Sequence, residues 1–394
     1  MGDLNPTTGW PTSTCQRVSW VPDDDRRWRR YGTTQLDAVI PPEIANLSFA
    51  VPADVVGAAV EADAALQRLD AELAGFNPNV LDAAAAHLIR AESISSSRIE
   101  GLDLSARRLA EADWDPGSAK RLAREVTANV HAMRAALALG TEREPLTDHD
   151  LRDLHAILMA DVPGINGGRY RDRQNWIGAT NNPADATYVP PPPEHVERLV
   201  ADVAAFVNRR DLSPTLQAAI AHAQFEGIHP FVDGNGRVGR CLIGVIVRKR
   251  TGAIVFPPVS AGIRRDVPGY FADLHAYQQQ ADPWPWARRF ARVTYEACET
   301  ARHVVGEIER LQLAWHERAG RPRRGSITAR IIDVLPTLTI TDVDQLVDRF
   351  GVDASTARRG LAALEAASVL RQVTAGRRNR VWRADEMHDL LDII

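Results

Sequence analysis

The chain has 394 residues, of which 45% are hydrophobic and 25% are charged, and its formal net charge is −4 at pH 7. These values are normal for a globular protein of two or three domains, and so small a charge identifies no class of partner. Three cysteines, too few for a disulfide framework, favour a reducing compartment. The longest apolar stretch, residues 241–247, is far short of the ~20 residues that span a bilayer, and residues 1–15 contain no hydrophobic leader. We therefore expect a cytoplasmic protein that does not enter a membrane.

The first forty-odd residues contain five prolines and are predicted to be irregular. From residue 52 apolar side chains recur at steps of three and four, which predicts helices. Alanine-rich helices are expected at residues 119–139, 148–159, 196–208, 216–226 and 283–317. Because period-two alternation is rare in this part of the chain, it should be mainly α-helical up to residue 318, apart from one hairpin.

One of these helices should end at the segment SSRIEG, residues 96–101. Ser96 and Glu100 are four positions apart and therefore share one helix face. Gly101 is the residue type expected just past a helix end. By itself this pattern fits either a glutamate aimed at a site or a solvated glutamate that closes a helix.

Two short β-prone runs, residues 168–178 and 187–189, flank a polar stretch and predict a hairpin with a long loop. Four prolines at residues 190–193 should end its second strand, and an acidic turn then starts a new helix. A plain surface hairpin would satisfy the same pattern.

The most informative segment is HPFVDGNGRVGR, residues 229–240. Gly234 and Gly236 allow the backbone to curl closely around a ligand, and the apolar helix that follows points the free N–H groups of its first turn at that ligand. An anion such as phosphate fits there. Asp233 is a hard oxygen ligand suited to Mg²⁺ beside phosphate oxygens, and His229 remains for proton transfer. A capped, glycine-rich helix start with surface arginines is the alternative.

At every fixed position these residues resemble the motif H-x-F-x-[DE]-G-N-G-R-x-x-R of Fic proteins. The resemblance implies a Fic-type helical bundle that transfers AMP from ATP to a protein hydroxyl. It makes His229 the base, Asp233 the Mg²⁺ ligand and the segment Gly234, Asn235 and Gly236 the phosphate cradle. Arg237 would contact phosphate, and Arg240 would hold the γ-phosphate.

The resemblance also assigns roles to the two earlier segments. Residues 96–101 are similar to the family's inhibitory motif [ST]-x-x-x-E-[GN], in which Ser96 is the first fixed position and Glu100 would pair with Arg240. The hairpin would be the family's flap, whose exposed edge aligns an extended target segment by strand addition. Its candidate docking residues are Ile177, Gly178, Thr187, Tyr188 and Val189.

After residue 321 the pattern changes to three short helices, at residues 326–335, 341–350 and 355–367, followed by a hairpin. This order predicts a winged helix-turn-helix domain. Residues 353–383 contain seven arginines against two acidic residues, so phosphate contacts with DNA are possible. Winged helices also bind proteins, and both readings stay open. The candidate DNA contacts are Arg358, Arg359, Arg377, Arg378 and Arg380.

The sequence therefore predicts a mainly α-helical chain with three domains: an N-terminal helical region with the inhibitory helix at 1–110, a Fic catalytic core at 111–318 and a winged helix at 322–394. The function implied is an autoinhibited protein adenylyltransferase that uses ATP and Mg²⁺. It would modify a Ser, Thr or Tyr hydroxyl of a target protein or of itself, and could also remove AMP. The alternative is a DNA- or partner-binding regulator whose nucleotide site senses ATP without catalysis.

Overall fold

The computed structural model describes residues 3–21, 32–178, 182–374 and 380–392. Within these ranges the chain is mainly helical, as the sequence predicts. The elements are, in chain order, β1 (Thr14–Trp20), β2 (Thr34–Ile40), α1 (Ala53–Leu73), α2 (Pro78–Ile99), α3 (Ala106–Trp114), α4 (Arg121–Leu139), α5 (Asp148–Leu158), α6 (Pro193–Val207), α7 (Pro214–Ile228), α8 (Asn235–Thr251), α9 (Val259–Arg264), α10 (Val267–Gln280), α11 (Trp284–Arg318), α12 (Ile327–Leu338), β3 (Ile340–Asp342), α13 (Val343–Phe350), α14 (Ala354–Ala366), β4 (Arg371–Gln372), β5 (Val381–Arg383) and α15 (Asp385–Asp392).

The chain divides into two compact units, and the prediction of three domains with other boundaries stays a prediction. The first unit comprises Met1–Leu66, His131–Gly252 and Gly262–Tyr295. The second comprises Gln67–Val130, Ala253–Ala261 and Glu296–Ile394. None of the helices within the described ranges is both long and apolar enough to cross a membrane.

At the centre of the first unit, α7 packs against α8. Every residue from Thr215 to Ile228 is buried, as is the first three-quarters of α8. A helix that is apolar on all sides must be surrounded by protein, and here α5, α6 and α10 also pack on this pair. Gly239 permits the close approach, because a Cβ there would lie 3.0 Å from Nδ1 of His222. The motif loop that joins α7 to α8 is thus fixed at both ends.

The prediction that the first forty-odd residues are irregular is wrong for residues 14–20 and 34–40. β1 and β2 form an antiparallel pair that runs from Thr14 opposite Ile40 to Trp20 opposite Thr34. Leu36 and Ala38 are buried while Gln35 and Asp37 are exposed, so the period-two alternation was present in β2. The prolines lie outside these strands and bound them instead of interrupting them.

In the second unit the carboxyl-terminal part of α2 packs with α3 and α4 around Ile94, Leu109 and Val126. The C-terminal elements α12 to α15 belong to the same unit, and α12 packs on both α2 and α14. Strands β3, β5 and β4 form an antiparallel sheet in that order. The helices predicted after residue 325 are present, whereas β3 and α15 were not predicted. Assignment of these elements to the winged-helix class stays a prediction.

Candidate functional site

His229 ends α7 in a left-handed conformation, with φ 49° and ψ 59°. A residue with a Cβ adopts this region at a cost of roughly 1–3 kcal/mol, and such strain concentrates at functional sites. The turn is held by two hydrogen bonds: the His229 N–H donates to the carbonyl of Phe225 at 3.0 Å, and Nε of Arg171 donates to the His229 carbonyl at 2.9 Å. The helix therefore stops at His229, and the chain turns into the motif loop.

Asn235 fixes the shape of this loop from inside. Its side-chain oxygen accepts from the N–H of Phe231 at 2.8 Å, and its amide donates to the Phe231 carbonyl at 2.9 Å. Asn235 is buried, so these bonds exchange little with water. The side chain thus serves the loop itself, and any contact of Asn235 with a nucleotide falls to its backbone N–H.

Gly234 is required by conformation and by space. Its φ is +80°, and a Cβ would lie 2.4 Å from the terminal methyl of Met159. Immediately after it α8 begins without a hydrogen bond from any capping side chain. An uncapped helix start carries orphan N–H groups and partial positive charge, which is the usual setting for a bound anion. Gly236 lies in this first turn and is buried.

Two charged residues flank this helix start. Nη2 of Arg237 lies 3.5 Å from Oδ1 of Asp233, whose side chain is 55% exposed. Arg237 is only 3% exposed, and its Nε and Nη1 have no hydrogen bond partner within the described part of the chain. A buried guanidinium with two unused donors fits an anionic ligand.

Arg240 is fully buried one turn further along α8. Burial, and next the charge of Arg240, lowers the pKa of His222 to about 3, so this imidazole is neutral at physiological pH. Nε2 of His222 lies 2.9 Å from the Tyr270 hydroxyl. His222 is therefore neutral and packs near Arg240. Its hydrogen bond goes to Tyr270, which is distant in the sequence.

His155 is a residue of the site that the sequence analysis missed. Its ring stacks on Phe231 with centroids 3.7 Å apart, its Nδ1 accepts from the N–H of Gly168 at 2.9 Å, and its Nε2 lies 3.1 Å from the Asp233 carbonyl. Because Nδ1 accepts, the proton must be on Nε2, which donates to Asp233. Burial lowers the pKa of His155 to about 4 and keeps the ring neutral. The sequence did contain one signal for this role: His155 lies on the buried face of α5, among leucines spaced by three and four residues.

The family models agree with this geometry. Residues 145–247 match the model of the Fic/DOC family, and residues 56–138 match the Fic/DOC family N-terminal model. The first match contains α5 to α8 and the whole motif loop. The chain therefore contains a Fic/DOC domain and a Fic/DOC N-terminal domain.

Curated relatives carry the same family name. The chain is 29% identical over 182 residues to "Protein adenylyltransferase fic-1" of Caenorhabditis elegans, which is 45% of this chain and 33% of that protein. It is 32% identical over 131 residues to "Protein adenylyltransferase Fic" of Drosophila melanogaster, which is 32% of this chain and 24% of that protein. The match thus spans a third or less of these relatives' length.

Solved structures share the fold. A Fic family protein from Desulfovibrio desulfuricans G20 aligns with a TM-score of 0.55 at 21% identity, over 85% of this chain and 97% of that one. Residues 134–508 of Fic-1 from C. elegans align with a TM-score of 0.52 at 24% identity, over 65% of this chain and 74% of that one. At these identities the likeness concerns the Fic fold alone.

The predicted flap of this Fic protein is reduced to one antiparallel bridge between Ile177 and Tyr188. Residues 179–181 lie outside the described residues. Tyr188 and Val189 are buried, the Tyr188 hydroxyl donates to the Gly227 carbonyl at 2.8 Å, and the Val189 carbonyl accepts from the N–H of Val39 at 2.9 Å. The side chains of these two residues are therefore buried, and their part in docking a target stays a prediction.

The other arm of the flap borders an open cleft. Both polar backbone groups of Ile177 point at the second arm, since its N–H donates to Tyr188 and its carbonyl accepts from Thr187 at 2.8 Å. The neighbouring Trp176 and Gly178 line a cleft of about 780 Å³, together with Trp20 and the motif residue Val232. Docking on the arm with Ile177 and Gly178 stays a prediction.

The predicted inhibitory motif of the Fic protein lies in the second unit. Ser96 is buried, and the exposed Glu100 caps the C-terminus of α2. Gly101 follows with a φ of +80°, the left-handed residue predicted just past the helix end. Asn129 holds this helix by donating to the Ser93 carbonyl at 3.0 Å and to Oγ of Ser97 at 3.1 Å. The inhibitory role of Glu100 and Ser96 stays a prediction.

The arginines predicted to contact DNA differ in their surroundings. Arg358 and Arg359 are exposed on α14, and Arg380 is exposed just before β5. Arg377 and Arg378 lie outside the described residues. Two further arginines of this basic region are paired with carboxylates of the protein itself, because Nε of Arg371 donates to Asp385 and Arg383 donates to both Asp385 and Glu111. The free positive charge is smaller than the sequence count suggests.

Proposed function

We propose that this Fic protein is a protein adenylyltransferase that transfers AMP from ATP to a hydroxyl of a target protein or of itself. One observation carries the proposal. The strained His229 turn leads within six residues to an uncapped helix start at which a buried Arg237 has unused donors. A proton acceptor beside a built anion site is what nucleotidyl transfer needs.

In the proposed reaction His229 removes the proton from the target hydroxyl. The hydroxyl oxygen then forms a bond to the α-phosphorus of ATP, the bond from that phosphorus to the bridging oxygen breaks, and pyrophosphate leaves. The backbone N–H groups at Gly234, Asn235 and Gly236 and the guanidinium groups of Arg237 and Arg240 would hold the phosphate oxygens. These groups are preorganised, because Asn235 and the packing of Gly234 fix the loop before ATP binds.

Asp233 fits the predicted Mg²⁺ site. Its exposed carboxylate stands next to the helix start, and the hydrogen bond from Gly234 engages Oδ1. Mg²⁺ prefers one or two carboxylates together with phosphate oxygens. When bound, the ion would neutralise negative charge on the phosphates.

The target would approach along the cleft beside the first flap arm. Trp176 and Gly178 line its edge, and the exposed Val232 lines it three residues after His229, the proposed base. An extended segment that pairs with this edge would present a Ser, Thr or Tyr hydroxyl to His229. Glu100 would restrain the resting enzyme. Ser96 lies four residues earlier on the same helix face and is buried.

Transfer of label from [α-³²P]ATP tests the proposal. We expect His229→Ala to abolish labelling of the protein itself and of proteins in a cell lysate, while ATP still binds, because the base is lost and the cradle is kept. His149→Ala is the matched control, since His149 is an exposed residue of α5 paired with Asp153. Labelling of the His229→Ala variant at the wild-type rate would contradict the assignment of the base. ATP binding without any transfer by the wild type would favour the sensing regulator.

For the C-terminal elements we propose DNA contact through Arg358 and Arg359 of α14 and through Arg380, just before β5. Arg358 and Arg359 stand one after the other on the exposed face of α14. Cations on an exposed helix and an adjacent wing suit the phosphates on either side of a groove. A protein partner remains the competing outcome of the salt experiment described in the Discussion.

A further inference from the structure

Arg171 links the predicted flap to the end of α7. It is buried at 4% exposure, and its guanidinium donates to four carbonyl oxygens: Nε to His229 at 2.9 Å, Nη1 to Arg173 at 3.1 Å, and Nη2 to Pro191 and, at 3.4 Å, to Ile228. Arg173 is on the first arm of the flap and Pro191 follows the second. One side chain therefore holds both arms and the carbonyls at the end of the helix.

The backbone of Arg171 adds a further bond to the same turn. Its N–H donates to the carbonyl of Pro230 at 3.0 Å. The carbonyls of residues 228, 229 and 230, the three that surround the left-handed His229, are thus all bonded to Arg171.

The electrostatics favour a cation at this place. The C-terminus of a helix carries partial negative charge on its unpaired carbonyls, and a guanidinium there is stabilising. Burial lowers the pKa of Arg171 to about 10, so the group is still charged at neutral pH. Only the planar fork of arginine presents donors in several directions at once, and the ammonium of lysine cannot reach the same set.

We propose that Arg171 is a positioning residue that sets the orientation of His229 and couples it to the flap. The inference rests on the proposed role of His229 as base. Through its bonds to both arms, Arg171 would transmit a shift of the flap, such as one caused by a docking target, to the backbone of His229.

Arg171→Lys tests this role because it keeps the charge and removes the fork. We expect kcat for self-labelling to fall about tenfold to a hundredfold, since a misplacement of about 1 Å can cost that much, while KM for Mg-ATP changes less than twofold. Arg169→Lys is the matched control, because Arg169 is two residues away, exposed and paired with Asp172. A kcat equal to that of the control, or a loss confined to KM, would overturn the proposal.

A second measurement does not depend on activity. We expect the His229 ring resonances in ¹H–¹³C spectra to shift or broaden in Arg171→Lys and to stay in place in Arg169→Lys. Unchanged resonances would overturn the proposal, whereas a wild type with no transfer would count against the adenylyltransferase function alone. If the lysine variant does not fold, Arg171→Gln, which buries no ammonium, is measured in its place. Failure of both to fold would assign Arg171 to stability and reject a positioning role.

Discussion

Arginine is used in opposite ways in the two units. In the first, the buried Arg171 bonds carbonyl oxygens and the buried Arg237 keeps unused donors beside a partly exposed carboxylate. In the second, the equally buried Arg383 is matched by two carboxylates, those of Glu111 and Asp385. Removal of one partner from a buried ion pair destabilises the fold, whereas a buried charge with unused hydrogen-bond donors indicates a site for a ligand.

The largest effect that this comparison predicts is on the stability of the second unit. Arg383→Ala removes the buried guanidinium that bonds Asp385 and Glu111 and leaves Asp385 with Arg371 alone, so the free energy of unfolding should fall by roughly 1.5–3 kcal/mol. Urea denaturation followed by circular dichroism measures this. Arg358→Ala is the control on the exposed face of α14 and should change the stability by less than about 0.5 kcal/mol. Equal losses in the two variants would contradict the comparison.

A smaller effect is expected on the activity of the first unit. If Glu100 restrains Arg240, Glu100→Gly should raise self-labelling about tenfold or more, which corresponds to about 1.4 kcal/mol of released inhibition. Arg240→Ala should lose labelling with or without Glu100, because the proposed γ-phosphate contact is gone. Labelling is measured at saturating Mg-ATP.

Two outcomes would contradict this link between the motifs. One is a Glu100→Gly variant with the wild-type rate. The other is an Arg240→Ala variant that behaves like the activated one. Asp82→Asn serves as the control acidic substitution, because Asp82 is exposed on the same helix α2, and it should not activate labelling.

The smallest effect concerns the exposed arginines. Changing Arg358, Arg359 and Arg380 to alanine should leave folding and self-labelling unchanged. If these residues contact DNA phosphates, the slope of log K against log salt should drop by up to about three units in a fluorescence titration with duplex DNA. If the intact chain does not bind DNA, or if the slope is the same in the variant, the partner of this face is a protein.

Much of the site could be predicted because its residues are contiguous. The motif fixes residue types over twelve positions, and Gly234 and Gly101 both adopt the left-handed conformation that their residue type indicates. The partners from elsewhere in the chain could not be predicted. His155 and Arg171 reach the motif loop only after folding, and neither lies in a pattern with a fixed spacing to His229.

The errors in the fold have a similar origin. The first forty residues were assigned as irregular because their prolines dominated the local pattern, although Leu36 and Ala38 alternate with polar residues. The sequence predicts two strands in the flap, whereas among its described residues only Ile177 and Tyr188 form a bridge. Strand pairing depends on which other segment covers each edge, and residue order alone does not contain that information.

The N-terminal pair of strands has a consequence for how the protein could be shortened. Trp20 packs edge-on against Trp176 with ring centroids 5.2 Å apart, and Val39 bonds the backbone of Val189, so β1 and β2 cover the flap. The family match begins only at residue 56. A truncated protein cut at that boundary would retain the whole motif yet expose an apolar surface and an unpaired edge, which are the features that make a protein aggregate.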